Sequence, residues 1–385
     1  MPQVVGDGVG ANGVTLCKRC QELEATLIVR SEPCCRDCFK KYVGVKVAKR
    51  MDTYRVRNTV DGDPPSLLLP MSYGISSLTL LQLLDSHLKS QVQRTRRSGF
   101  SLKVVHVEES PGSSSKASAS LERVKQTYPD HEYLSVPLAD ISRYGNLLEE
   151  VLSKDVPISG EASESLSSQE KLDSCLQTLP SATSRADILI VLRTRLIVEI
   201  AKERGCEGIV WGDTTTRLAE RTLAETAKGR GHALPWQMDD GISPLGVTFK
   251  YPLRDILKKE ILSFAELFPE SILSLVDTES SVSQVSASSK GTSIDDLMRQ
   301  YFGSVEENFP SIVANVVKTS GKLRATSFDN ETSKCVLCSM PIPDGGLGPE
   351  NWSGNQEGSD DPAFEARSRR AEGLCYGCAR SALYD

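Results

Sequence analysis

The chain has 385 residues, enough for two or three domains, and 39% hydrophobic with 25% charged residues is the composition of a soluble globular protein. No apolar run approaches the roughly 20 residues of a membrane span, and residues 1–14 lack the basic-then-apolar form of a secretory signal, so a cytoplasmic protein without a membrane partner is expected. The net charge of −6 hides an asymmetry: residues 1–58 carry eleven Lys/Arg against six Asp/Glu, and the remainder carries 34 against 45. That pattern predicts a local anion-binding surface on an acidic protein and argues against indiscriminate nucleic-acid binding.

Of eleven cysteines, eight fall into four CxxC pairs. In a cytosolic chain that spacing points to metal before disulfides. The first unit, residues 1–58, holds Cys17-Lys18-Arg19-Cys20 and Cys35-Arg36-Asp37-Cys38, with Cys34 an adjacent alternative to Cys35. Two such knuckles place four thiolates tetrahedrally around zinc and leave no open position, so the metal is expected to be structural. Phe39, Val43, Val47 and Met51 then mark the buried face of a helix. Lys40, Lys41, Lys46, Lys49 and Arg50 give it a dense positive surface suited to phosphate.

Residues 59–268 read as an α/β domain with a doubly wound parallel sheet. Strands are expected at Ser66–Pro70, Leu102–Val107, Glu132–Val136 and Gly208–Trp211, with helices between them. The run Leu67-Leu68-Leu69 meets a small polar turn, Ser72 to Ser77, and an apolar-periodic helix follows. Strand, turn and helix is the plan of a phosphate site, with Ser72, Gly74, Ser76 and Ser77 the candidate nucleotide-binding residues. Polar stretches near 110–120 and 159–170 read as mobile insertions. Thr183–Gly205 is a long helix, with Arg195 near its start a candidate phosphate contact. The basic glycine turn Lys228-Gly229-Arg230-Gly231-His232 offers Lys228 and Arg230 to the same track. An amphipathic helix is expected over Pro252–Phe268. Cys175 and Cys206 have no paired knuckle and read as small buried residues.

A polar linker over 269–293 precedes a helical region, 294–334. The last unit, 335–385, pairs Cys335 and Cys338 with Cys375 and Cys378 across 36 residues rich in Gly, Pro and acids. Loop closure grows slowly with length, so a second structural zinc knuckle is expected.

The Ser72–Ser77 turn resembles the PP-loop of the N-type ATP pyrophosphatases, usually written SGGxDS. Ser72, Gly74 and Ser77 fall on the pattern; Tyr73 replaces a glycine and Ser76 the aspartate. The stretch Gly212 to Glu220 resembles that family's second motif, GHNxDDxAET, with Gly212, Ala219 and Glu220 matching. Asp213 stands for the histidine, and Thr216-Arg217 for the paired aspartates. Taken in order, these turns, the two cysteine units, the basic helix and the run Asn308 to Leu323 resemble the cytoplasmic tRNA 2-thiolation protein 2 family.

The resemblance implies a PP-loop, HUP-like fold. It also implies a place in the complex that makes 2-thiouridine at the wobble position of lysine, glutamate and glutamine tRNAs. The implied partners are tRNA, a catalytic thiolase subunit in a heterodimer, and, through the complex, a thiocarboxylated ubiquitin-related modifier that supplies sulfur. The missing carboxylate and catalytic cysteines argue against ATP use and sulfur transfer by this chain, so no catalytic residue is assigned. The competing readings are an ATP-dependent, tRNA-adenylating sulfurtransferase in its own right, and a zinc-ribbon binding module on an inert α/β scaffold.

Overall fold

The computed structural model describes residues 15–58, 63–109, 114–145, 166–277, 292–325, 333–342 and 373–383. A six-stranded sheet forms the centre: β3 (Ser66–Pro70), β4 (Ser101–Glu108), β5 (Glu132–Pro137), β6 (Gly208–Val210), β7 (Gly241–Ile242) and β8 (Thr248–Lys250). A separate antiparallel hairpin, β1 (Leu27–Val29) and β2 (Glu32–Cys34), precedes it. The sheet order is β5-β4-β3-β6-β8-β7, parallel throughout except for the edge strand β7.

The apolar run of β3 explains its central place. Leu67 and Leu69 face one layer, Leu68 the other, and all three are fully buried. A central parallel strand needs both faces apolar because helices cover both.

One layer holds α1 (Arg36–Arg50), α2 (Ile75–Thr95), α3 (Ser114–Thr127) and, further on, α7 (Lys258–Ala265). The other holds α4 (Ser168–Gln177), α5 (Ala182–Glu203), α6 (Thr215–Ala227), α8 (Ile294–Asn308), α9 (Pro310–Ser320) and α10 (Tyr376–Leu383). In α5, Ile188, Leu192, Leu196 and Ile200 recur every fourth residue and are buried. Its first turn is capped by Ser181, whose hydroxyl accepts from the Ser184 N–H at 3.1 Å. No described helix is long and apolar enough to cross a membrane.

Two local expectations change. The polar stretch near 110–120 runs into α3, because Leu121, Val124 and Tyr128 bury on one face and carry the helix upstream. The helix expected over Pro252–Phe268 shrinks to α7. Before it the chain makes tight turns, Arg254 N–H to Tyr251 O at 3.1 Å and Ile256 N–H to Leu253 O at 2.9 Å, and Thr215 ties them down, its hydroxyl donating to the Arg254 carbonyl at 2.6 Å and its N–H to that of Ile256 at 2.9 Å. Residues 159–165 of the second insertion, 278–291 of the linker and 343–372 between the last two knuckles lie outside the described residues.

Candidate functional site

Three places carry the expected chemistry. The first is the sheet's switch point. Connections from β3 run to β4 on one side, and β6 joins on the other, so the carboxyl ends of β3 and β6 open a crevice where such folds bind ligands. The Ser72–Ser77 turn and the Gly212-Asp213-Thr214 turn both lie there. They are tightly apposed: a Cβ on Gly212 would sit 3.4 Å from the Ser77 Cα. The hydroxyls serve the turn itself. Ser77 donates to the Gly74 carbonyl at 2.9 Å, and Ser72 Oγ lies 3.3 Å from Ser77 Oγ.

Tyr73 decides the character of this turn. It holds φ +54°, the backbone conformation a glycine would supply, and its ring is 2% exposed against His106, centroids 4.6 Å apart. Burial pushes its phenol well above the usual range, and its oxygen has no hydrogen-bond partner among the described residues. The residues at this turn do not fit ATP. Ser76 offers no carboxylate for a metal, and a tyrosine whose ring is buried against His106 stands at a glycine position of the pattern. In the second turn, Asp213 is bound to Arg221 at 2.9 Å and Arg217 to Glu220 at 2.9 Å.

The second place is the N-terminal cluster. Cys17, Cys20, Cys35 and Cys38 bring their sulfurs within 4.8 Å of one another. Cys34 does not join them: it pairs with Leu27 in the hairpin, and burial pushes its thiol up to about 11. Burial also raises Cys17, but the backbone N–H groups of Cys20, Cys35 and Arg19 outweigh it and hold that thiol down to about 6. The Cys20 and Cys35 sulfurs are 3.9 Å apart; tetrahedral zinc with Zn–S near 2.3 Å needs about 3.8 Å. The donor set therefore fits a four-thiolate metal ion.

The helix beside it, α1, buries Phe39, Val43, Val47 and Met51. Its cations divide into two groups. Lys46 donates to the Asp255 carbonyl at 2.6 Å and lies over the Tyr42 ring, and burial pushes its ammonium down to about 8. Arg50 pairs with the Asp255 carboxylate at 2.8 Å. Both pin α1 to the α/β domain instead of facing solvent. Lys41 and Lys49 are exposed, and Lys40 lies over the Phe268 ring.

The third place is the C-terminal cluster, where Cys335, Cys338, Cys375 and Cys378 are buried and within the same 4.8 Å. It is built into the core of the second layer. Arg195, expected at a phosphate, donates instead to the Val336 and Leu337 carbonyls at 3.2 and 3.1 Å and to the Ser339 hydroxyl. Lys228 and Arg230, expected on the same track, are buried. Lys228 meets Asp187 at 2.8 Å and Asp295 at 2.5 Å; Arg230 meets Asp187 at 2.5 Å and Glu225 at 2.7 Å. The Ser381 hydroxyl donates to Asp187 at 2.6 Å.

The turn between these cations fits the cluster closely. Gly229 holds φ +80°, and a Cβ there would lie 2.2 Å from the Tyr376 ring; one on Gly377 would lie 2.4 Å from Arg230. These three cations therefore staple the cysteine cluster to α5 and α6, and the expectation of RNA contacts from them is corrected. Sequence reasoning missed Asp187 and Glu225, whose pairing partners lie some forty residues away or across a glycine turn.

The model of the cytoplasmic tRNA 2-thiolation protein 2 family matches residues 293–380, from α8 through the C-terminal cluster. A protein of that name from Phaeosphaeria nodorum is 48% identical over 95% of this chain and 94% of its own length. The chain belongs to the cytoplasmic tRNA 2-thiolation protein 2 family. A further member, from Neosartorya fischeri, is 38% identical over 95% of this chain and 96% of its own.

Among solved structures, the U34-tRNA thiolase NcsA from Methanococcus maripaludis, with its 4Fe–4S cluster, superposes with a TM-score of 0.56. It shares 17% identity and is covered over 93%, against 86% of this chain. That likeness establishes the thiolase fold for this family member. The expected doubly wound α/β architecture with a cysteine cluster at each end is what the structure has.

Proposed function

We propose that this chain is the RNA-holding, non-catalytic subunit of a cytoplasmic tRNA 2-thiolation complex. Membership of the 2-thiolation family gives the role in tRNA thiolation. The finer reading is that the complex acts on the wobble uridine of lysine, glutamate and glutamine tRNAs. A catalytic thiolase partner would activate the uracil and receive sulfur from a thiocarboxylated ubiquitin-related modifier. This chain would orient the tRNA through phosphate contacts, which fix register without reading sequence.

One observation supports the non-catalytic assignment: the Ser72–Ser77 turn carries no carboxylate, and at its glycine position stands Tyr73, its ring buried against His106. The cysteine sets support it, because all eight knuckle thiols are used in two four-sulfur clusters, and Cys175 and Cys206 lie apart from them. We assign zinc to both clusters. A closed four-thiolate site leaves no position for substrate, so its contribution is folding and docking.

The test is tRNA 2-thiolation with purified components, with and without this chain, and with a Ser76→Ala/Ser77→Ala double variant. The expected result is that the chain is required and the double variant supports normal thiolation. A double variant that folds and binds tRNA and partner but fails to support thiolation would make the turn an active phosphate site and return the chemistry to this chain.

A further inference from the structure

A groove of about 820 Å³ runs between α1 and α2, closed at one end by Phe264 and Phe268 of the α7 region. Its α1 wall is low. A Cβ built on Gly44 would have nothing within 4 Å, and Val45 beside it is 58% exposed. Five of the lining residues are cations, Lys40, Lys41, Arg55, Arg57 and Arg94, and none is a carboxylate. Arg55 is held by Asp52, and Lys40 sits 5.0 Å from the Phe268 ring centre. Lys41, Arg57 and Arg94 have no carboxylate partner among the described residues.

On a chain of net charge −6, the three cations without a carboxylate, Lys41, Arg57 and Arg94, select an anion, and the apolar end selects one with apolar faces. The α2 wall adds a further requirement. Gln82, Ser86, His87, Ser90 and Gln91 line it. Most of these groups are already paired, Gln82 with Ser86 at 2.9 Å and Gln91 with His87 at 3.0 Å and the Gly99 N–H at 2.8 Å, so a ligand laid there must offer groups that share or replace those bonds. Nucleobase edges supply both donors and acceptors. A duplex keeps its base faces stacked inside and cannot enter a groove of this size; an unpaired stretch presents base faces and phosphates together.

We propose that this groove holds an unpaired stretch of RNA, base faces against the Phe268 end and phosphates on the Lys41, Arg57 and Arg94 rim. The proposal rests on the tRNA-holding reading above and names where and in what form the RNA is held.

The experiment measures binding of the full chain to a lysine-tRNA anticodon stem-loop and to a fully paired RNA duplex, across a salt series. Three variants are compared with wild type after metal content and thermal melting show them folded. Gly44→Trp fills the groove and keeps every cation; Val45→Glu places a carboxylate in it at an already exposed position; Lys41→Gln/Arg57→Gln/Arg94→Gln removes the free rim. The stem-loop is expected to bind more tightly than the duplex. Gly44→Trp and Val45→Glu should each lose about fivefold or more in affinity for it, the loss of one stacked base. The triple variant should lower the logarithmic salt slope by about 2, since each unpaired-strand contact contributes about 0.7.

Wild-type affinity in both groove variants with a loss in the triple variant would overturn the groove and leave the tRNA reading standing on outer-face phosphates. Wild-type affinity in all three would overturn the groove and the basic tRNA contact together. Normal RNA binding with loss of a protein partner would reassign the groove to that protein.

Discussion

Arg230 is the sharpest place to separate a structural cation from an RNA contact. Its side chain is 3% exposed, its Nε donates to Glu225 at 2.7 Å, and a terminal nitrogen donates to Asp187 at 2.5 Å. The cluster balances two cations, Lys228 and Arg230, against three carboxylates, Asp187, Glu225 and Asp295. Arg230→Met preserves much of the volume and leaves three buried carboxylates facing one ammonium.

Breaking a buried ion pair from one side costs about 3–5 kcal/mol, and that is the expected loss in chemical denaturation. Arg230→Lys keeps the charge but not the fork, and should fall between. Because Gly377 packs on the Arg230 stem, the Met variant should also bind metal less tightly at the C-terminal cluster, read as metal retained during graded chelation. Its affinity for tRNA per folded molecule should equal wild type. A Met variant as stable as wild type, with weaker tRNA binding and a shallower salt dependence, would refute the reasoning and put Arg230 on the RNA.

Further expectations follow from the same contacts. Asp187 is pushed up by burial, but Arg230 and then Lys228 outweigh this and hold its carboxyl at about 2 instead of the usual 3.8. Such a depression is worth about 2.4 kcal/mol. The contribution is complete above pH 3.8 and is lost as pH falls towards 2, so Asp187→Asn should flatten the acid limb of a stability-versus-pH curve; an unchanged limb would count against it. Tyr73→Gly removes a buried aromatic ring, about 3–5 kcal/mol, and relieves a left-handed backbone, about 1–2 kcal/mol, for a net loss of about 1–4 kcal/mol in urea unfolding. It should create no ATP hydrolysis, because Ser76 remains; measurable turnover would show that the ring alone blocks the site. Elemental analysis should find two zinc ions per chain, one in Cys375→Ser. Chelation should strip the N-terminal cluster first, since Cys20 and Cys38 are only half-buried while all four C-terminal thiols are buried.

The parts legible in the sequence are those where a short pattern has one physical outcome. Four CxxC pairs converge into two four-sulfur clusters, six of the eight thiols buried and none in a disulfide. The Leu67–Leu69 run could only be a central strand, and Ile188 to Ile200 only a buried helix stripe. Choosing Cys35 over Cys34 was beyond spacing, because it depends on where the hairpin ends: Cys34 is the last residue of β2 and Cys35 the N-cap of α1. The groove was missed for the same kind of reason. Gly44 and Val45 in a basic helix carry a faint signal, and the opposite wall lies in a helix that reads as plain core from its leucines.

Charge was the least legible quantity, and the pattern of error is informative. Of eight cations expected at RNA, five are used internally: Lys46 and Arg50 dock α1, and Arg195, Lys228 and Arg230 dock the C-terminal cluster. The two cysteine units are fastened to opposite layers of one sheet by charged contacts of opposite sense: Lys46 and Arg50 of the N-terminal unit reach Asp255 of the α/β domain, and Arg195 of the α/β domain reaches the Val336 and Leu337 carbonyls of the C-terminal unit. A small metal knuckle has little apolar surface of its own, so charge-assisted hydrogen bonds must supply the specificity of its docking. A basic run next to a cysteine knuckle therefore predicts attachment as readily as nucleic acid. The cations left after attachment, Lys41, Arg57 and Arg94 among them, gather at a groove without lining carboxylates and have no carboxylate partner among the described residues.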